Sequence, residues 1–360
     1  MRTKSLLFIA FVSMLIWACS NEPIEERFYD VIGQISYNNV DVSINHGTFE
    51  ITNDRIISNV QTPNIELEIK SNNTDSVLLN FEFRNMRTDQ LPEIVPNTGR
   101  VSRGDKAKYV NYRVLVPPME ARTIHLNSFT ETRAYKFGVV GDIQSSWEFG
   151  EKIAESIDEN EIDFFVHVGD IVMFGTEEAY QEAIELMEKF PVPVYLLLGN
   201  HDGSTGYDSG YKYFRQYFGK TNYSFSYNND LFLMLDAANQ GMSADVFDYS
   251  RKTLELNKDE NKFVFLHVPP FDESGIRSFS FSTSIDAARF MNLMIDNDVD
   301  LIFSGHIHTY QDYTISGVRT IVAGIGGGVP EGSEGVSNGY VIVTRNESGI
   351  STQRIDLKTE

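Results

Sequence analysis

A single cysteine, Cys19, stands in a chain of 360 residues, so no internal disulfide can form and no thiolate-rich metal site can be built. Positive charge is also scarce: 30 Lys and Arg face 51 Asp and Glu, a formal net charge of −21. A surface of that sign repels phosphate backbones, which argues against nucleic acid as a bulk partner. Internal repeats and low-complexity tracts are missing too, which sets aside solenoid architectures. With 41% hydrophobic residues, the length suits about two folded domains at roughly 150 residues each.

The N-terminus reads as an export signal. Arg2 and Lys4 precede an apolar stretch, Leu6 to Ile16, that is too short to span a bilayer comfortably. Ile16-Trp17-Ala18-Cys19 then resembles the lipobox of bacterial lipoproteins, which implies a signal over 1–18, lipidation of Cys19 and a polar tether over 19–27. The expectation is an exported, membrane-anchored lipoprotein held by acyl chains, facing the periplasm or the cell surface. An ordinary signal peptide with an incidental cysteine is the alternative. Losing Arg2 and Lys4 with the signal would take the charge from −21 to −23.

Two kinds of apolar pattern follow. Over 28–130, Val40–Ile44, Ile65–Ile69 and Val110–Val114 alternate apolar with polar residues, the period of half-buried strands. Polar turn clusters separate them and no amphipathic helix stands out, so an all-β sandwich of immunoglobulin-like or fibronectin-like type is expected. Over 131–360 the strands change character. Tyr135–Val140, Phe164–Val168 and Val194–Leu198 are near-continuous apolar runs, as in strands covered on both faces. Helical patterns at Glu148–Asn160, Glu177–Phe190 and Ser284–Asn297 make this half α/β.

Five short motifs carry the chemistry: GDIQ at Gly141–Gln144, GDIVMFG at Gly169–Gly175, GNHD at Gly199–Asp202, HVPP at His267–Pro270 and GHIH at Gly305–His308. They contribute three aspartates, an asparagine, a glutamine and four histidines, mostly where a buried strand runs into a loop. Hard oxygen and imidazole ligands without thiolate suit a two-metal hydrolytic site. Gly-Asp after a strand is common as a plain turn, so the weight lies in five motifs occurring in order.

The set resembles the calcineurin-like metallophosphoesterase superfamily, whose signature is GDxH, GDxxxxG, GNH[DE], a lone His and GHxH, over about Tyr135 to Arg354. The resemblance implies an αββα sandwich with two metal ions, Mn, Fe or Zn, at one edge. Asp142, Asp170 and His308 match ligands of the first metal, with Gln144 at the fourth position. Asp170 would bridge to a second metal held by Asn200, His267 and His306. His201 matches a histidine that sits near the leaving group.

Chemistry accounts for these residue types. Two neighbouring cations need a shared carboxylate to offset their repulsion, and together they make a bridging hydroxide available near neutral pH for in-line attack on a small phosphorylated substrate. His201 can protonate the departing alkoxide. Asp202, adjoining it, is expected to hold the imidazole's tautomer. The glycines of the motifs are expected to permit the sharp turns at the strand ends.

Gln144 departs from the signature, which has histidine there. Three readings follow: it ligates through its carbonyl oxygen, it orients a metal-bound water, or the first site is weakly filled. A neutral amide oxygen suits harder ions such as manganese better than zinc or ferric iron. The leading function is an exported metal-dependent hydrolase of phosphate mono- or diesters. A degenerate, non-catalytic member acting as a surface binding lipoprotein is the alternative, and Gln144 is its only support. His167 reads as a satisfied strand histidine, Arg277 as a solvated loop arginine with contact to a substrate anion as the alternative, and His46 and His125 are given no role. Gly324–Gly328 is not expected to cradle a phosphate, since no helix pattern follows it.

Overall fold

In the computed structural model the described residues are 33–52, 54–88, 91–127, 134–158, 161–203, 207–257, 261–273, 279–329 and 338–357. The expected signal, Cys19 and the tether lie outside them, as does Arg277. No helix among the described residues is long and apolar enough to cross a membrane.

The alternating N-terminal third forms ten strands: β1 (Gln34–Tyr37), β2 (Val40–Ile44), β3 (Gly47–Thr52), β4 (Arg55–Val60), β5 (Asn64–Ser71), β6 (Val77–Arg84), β7 (Glu93–Val95), β8 (Arg100–Arg103), β9 (Val110–Val116) and β10 (Ala121–Asn127). They make two five-stranded sheets, β1-β2-β5-β10-β7 and β3-β4-β6-β9-β8. Ile65, Leu67 and Ile69 of β5 turn inward and meet Phe81, Phe83 and Tyr112 of the other sheet in one core. The period-two pattern does this directly, since alternate side chains share a face. β4 and β6 pair in parallel; the other described pairs of these sheets are antiparallel.

The second half runs β11 (Tyr135–Val140), α1 (Trp147–Glu155), β12 (Phe164–His167), α2 (Glu177–Lys189), β13 (Val194–Leu196), α3 (Tyr207–Phe218), β14 (Tyr223–Tyr227), β15 (Asp230–Leu235), α4 (Ala244–Leu256), β16 (Lys262–Leu266), α5 (Ser284–Asp296), β17 (Leu301–Ser304), β18 (Tyr310–Ile315), β19 (Val318–Ala323), β20 (Gly339–Asn346) and β21 (Gly349–Asp356). Helices α2, α4 and α5 start where Thr176, Ser243 and Thr283 accept from the N–H three residues on, which satisfies a donor that the helix itself cannot.

The strands form the sheets β13-β12-β11-β20-β21 and β14-β15-β16-β17-β19-β18. An aromatic layer fills the space between them, with Phe137, Phe164, Phe232, Phe263, Phe265 and Phe303 all buried. Residues of α1, α2 and α3 pack with the outer side of the first sheet, and residues of α4 and α5 with that of the second. This is the α/β layering expected from the uninterrupted apolar runs: strands covered on both faces show no alternation. The parallel strands β11, β12 and β13 of one sheet and β16 and β17 of the other each lead at their carboxyl ends into one of the five motifs.

Contacts tie the N-terminal sheets to this body. β13 is an edge strand, and the Asn85 amide takes the place of its missing neighbour: Nδ2 donates to Val194 O at 2.9 Å, and Oδ1 accepts from Val194 N at 2.8 Å. Asn85 Nδ2 also donates to Val60 O at 3.0 Å. Gln61 does the same for Lys220, its Oε1 accepting from the backbone N–H at 2.9 Å and its Nε2 donating to the carbonyl at 2.5 Å. Lys108 Nζ donates to Met187 O at 2.6 Å near the end of α2, and burial pushes its pKa down to about 8. Asn85 has φ +67, a conformation asparagine tolerates better than alanine. Asn85→Ala is therefore expected to destabilise the protein by about 2–4 kcal/mol, since it strands partly buried backbone groups on two strands and adds strain. Urea unfolding of the variant beside the parent protein measures it.

Candidate metal centre

The five motifs meet where the two sheets present their carboxyl ends. Asp142, Asp170 and His267 are fully buried, and His201 keeps 31% of its side chain exposed. Asp142, Gln144, Asp170 and His306 all have positive φ, at +62, +49, +57 and +68. The left-handed turns thus fall on side-chain-bearing residues and not chiefly on the preceding glycines, as the sequence had suggested. The glycines are needed for space. A Cβ on Gly199 would run into the Asp170 carboxylate, and one on Gly305 would lie 2.5 Å from Asp142 Oδ2. Each makes room for the carboxylate of another motif.

Asp170 lies at the middle of the group. Its Oδ1 accepts from His201 N at 2.8 Å, and its Oδ2 faces His267 Nε2 at 3.3 Å, Gln144 Nε2 at 3.4 Å and His201 Nε2 at 4.0 Å. Asn200 Oδ1 faces His306 Nδ1 at 2.7 Å and His267 Nε2 at 3.0 Å. Around the other corner, His308 Nε2 lies 3.5 Å from Asp142 Oδ1 and 3.0 Å from Gln144 Nε2. Backbone carbonyls orient three of the rings: Val168 O meets Nδ1 of His267 at 2.8 Å, Val329 O that of His308 at 2.7 Å and Met173 O that of His201 at 3.1 Å. A proton held on Nδ1 in this way turns Nε2 toward the centre, the arrangement found behind metal-ligating histidines.

The donor set fits a cation. With Nδ1 of His267 donating to a carbonyl, neutral Nε2 is a lone pair aimed at two acceptor oxygens, of Asn200 and Asp170. Ligand atoms on one ion at about 2.1 Å and at right angles lie about 3 Å apart, the spacing seen here. Among the described residues, Asp170, His267 and His306 bring ligand atoms within 4.8 Å of one another, and His306 Nε2 is buried without a hydrogen-bond partner. The electrostatics point the same way. Burial works against a charge on His267, yet the Asp170 carboxylate, with Asp142, lifts its pKa well above the ordinary imidazole value. Burial also opposes ionisation of Asp170, but His267 and His201 hold its pKa down. Positive charge is stabilised at this point, whether a proton or an ion carries it.

Three sequence expectations need correction or refinement. Asp202 does not orient His201. Both its oxygens accept backbone N–H groups, Oδ2 from Asp170 and Gly199 at 2.8 Å each and Oδ1 from Val172 at 3.1 Å; Tyr180 Oη donates to its carbonyl at 2.9 Å. Asp202 thus clamps the second motif to the third, while Met173 O takes the role at His201. Burial and the Asp170 charge raise the Asp202 pKa to about 7. His167 is a core residue, but not a satisfied one: it is fully buried, neither ring nitrogen has a partner, and burial pushes its pKa down to about 3. Gln144 reaches the site with its amide nitrogen, not its oxygen, facing His308 and Asp170.

One contributor was missed. The glycine-rich segment after β19 lines the centre: Gly328 N donates to Asp142 O at 2.8 Å and Gly326 N to Gly141 O at 2.9 Å, and a Cβ on Gly328 would crowd the His308 ring at 3.0 Å. Four glycines within Gly324–Gly328, directly after an apolar strand, were the available signal.

Residues 135–310 match the family model described as calcineurin-like phosphoesterase. The 3′,5′-cyclic-nucleotide phosphodiesterase of Nostoc sp. is 25% identical over 154 residues, covering 41% of this chain. The aligned region is 56% of that protein's own length. Among solved structures, purple acid phosphatase PPD1 from yellow lupin (Lupinus luteus) seeds shares the fold, with a TM-score of 0.55 at 14% identity, over 82% of this chain and 72% of that one. A dimetal phosphatase from Danio rerio is also similar, with a TM-score of 0.46 at 14% identity, over 63% of this chain and 100% of that one.

Proposed function

We propose that this chain is a metal-dependent phosphoesterase acting on phosphate esters, with a diester as the first substrate to test. The observation that carries the reading is the convergence of His267 Nε2 on Asn200 Oδ1 and Asp170 Oδ2, three acceptors brought together with a cation's spacing. Asp170, Asn200, His267 and His306 would hold one ion, and Asp142, Asp170, Gln144 and His308 a second, more weakly held one. When bound, such ions activate a water and offset charge on the phosphoryl oxygens.

The chain's own residues do the rest. Asp170 supplies the negative charge common to both corners. Met173 O keeps a proton on Nδ1 of His201, so the proton given to the departing alkoxide comes from Nε2, on a side chain that reaches solvent. Asp202 holds the Asp170 and Asn200 loops in register. The name of the Nostoc relative supports trying diesters first. Lipid anchoring through Cys19 completes the reading, with Cys19→Ser moving the protein from the membrane to the soluble fraction.

The test is turnover by the purified mature protein with Mn²⁺, Zn²⁺ or Fe²⁺ on a bis-aryl phosphate, an aryl phosphate monoester and a 3′,5′-cyclic nucleotide. Hydrolysis of at least one is expected, and no turnover with any metal would sink the enzyme reading.

A further inference from the structure

Resting on the phosphoesterase reading, we propose that Met173, Phe174 and Val329 form an apolar lip that receives an apolar substituent of the substrate ester. The catalytic half leaves five large apolar side chains exposed among the described residues, Met173, Phe174, Leu256, Ile285 and Val329. Three of them lie on the two loops that orient site histidines. The carbonyl of Met173 meets Nδ1 of His201 at 3.1 Å, and Phe174 follows it with 58% of its surface exposed. On the other side, the carbonyl of Val329 meets Nδ1 of His308 at 2.7 Å, and its side chain is 79% exposed.

Neither loop needs an apolar side chain for its structural work. The Met173 and Val329 contacts use backbone carbonyls, which any residue supplies, and Met173 N is satisfied by Ser145 Oγ at 3.1 Å. Large side chains left in water beside a buried polar centre gain only when something covers them. Phe279 adds an apolar wall, its ring edge-on to His306 at 5.5 Å between centroids. The polar floor takes a phosphoryl group and the rim takes what the phosphoryl group carries, the division seen in ligand sites where a few polar groups orient and apolar surface supplies affinity. The substrate class that fits is a phosphoester with an aryl or alkyl substituent, in preference to a small polar ester.

Isothermal titration of the Mn²⁺-loaded protein with methyl-, phenyl- and hexylphosphonate tests this without turnover. The lip should make phenyl- or hexylphosphonate bind about tenfold tighter than methylphosphonate, a fraction of what full burial of such a group could give. A phenyl advantage points to ring-bearing esters and a hexyl advantage to acyl or alkyl ones. Phe174→Ser should erase the advantage while leaving methylphosphonate affinity and the thermal midpoint unchanged, and Val329→Ser should reduce it. Equal affinity for the three ligands, or an advantage that survives Phe174→Ser, overturns the lip while methylphosphonate binding upholds the phosphoryl site. Failure of all three to bind removes both readings together.

Discussion

Asp170→Asn is expected to lower kcat/KM by about 10³-fold or more and to strip the protein of bound metal. The substitution keeps shape and an acceptor oxygen, so the bond from His201 N can persist. What it removes is the carboxylate charge nearest His267 and His201, which also faces Gln144. Without it, two cations would repel across a neutral amide. Losing several kcal/mol of charge stabilisation corresponds to about three decades in rate. Elemental analysis by mass spectrometry beside kcat/KM, on protein whose thermal midpoint shows it is folded, makes the measurement. Full metal content in Asp170→Asn would remove the bridging role.

His201→Ala has the second largest expected effect, about 10²–10⁴-fold on kcat, with metal content intact. The ring's Nδ1 is committed to Met173 O, and its Nε2 stands 4.0 Å from Asp170 Oδ2, farther than the 3.3 Å of His267. It thus fits a proton donor better than a ligand. The loss should depend on the leaving group: small for nitrophenol, which departs well unprotonated, and large for an alkyl alcohol. A loss of the same size for both, or a loss of metal, would make His201 a structural or ligating residue.

Much of this arrangement was legible in the chain because each motif carries its own local cause. The runs at Tyr135–Val140 and Phe164–Val168 announce strands covered on both faces, and the Gly-Asp that follows marks the strand end. Less visible were features that depend on a second motif. That Asp202 turns to the backbone of Asp170 and Val172, or that Gly199 is small to admit Asp170, follows only once two strand ends are side by side. Helix α3 was hidden by its own residues. Tyr211, Tyr213, Phe214, Tyr217 and Phe218 are strand-prone by propensity, and packing against α2 and the first sheet's outer side decides for the helix. Helix α1 ends at Glu155, short of the expected Asn160, where Ser156 Oγ donates back to Ile153 O at 2.7 Å, a local bond that competes with continuing the helix.

Gln144 joins sequence and structure most closely. As placed, its amide nitrogen lies 3.0 Å from His308 Nε2, and Val329 O holds the other ring nitrogen. His308 can therefore accept a hydrogen bond from the amide at the position where a metal would need its lone pair. An ion at that corner must turn the amide over and recruit Oε1, or do without it. At the Asn200, His267 and His306 corner the imidazole nitrogens face acceptor oxygens, so an ion there displaces a proton and needs no amide to turn. If two ions bind, unequal affinity is the expected outcome.

Metal titration followed by calorimetry, on the parent protein and on Gln144→His, tests this most directly. The parent is expected to bind one Mn²⁺ tightly and a second at least about tenfold more weakly. Gln144→His should tighten the second step and move its preference toward Zn²⁺. Two equal steps in the parent, or a Gln144→His titration that overlays the parent's, would contradict it.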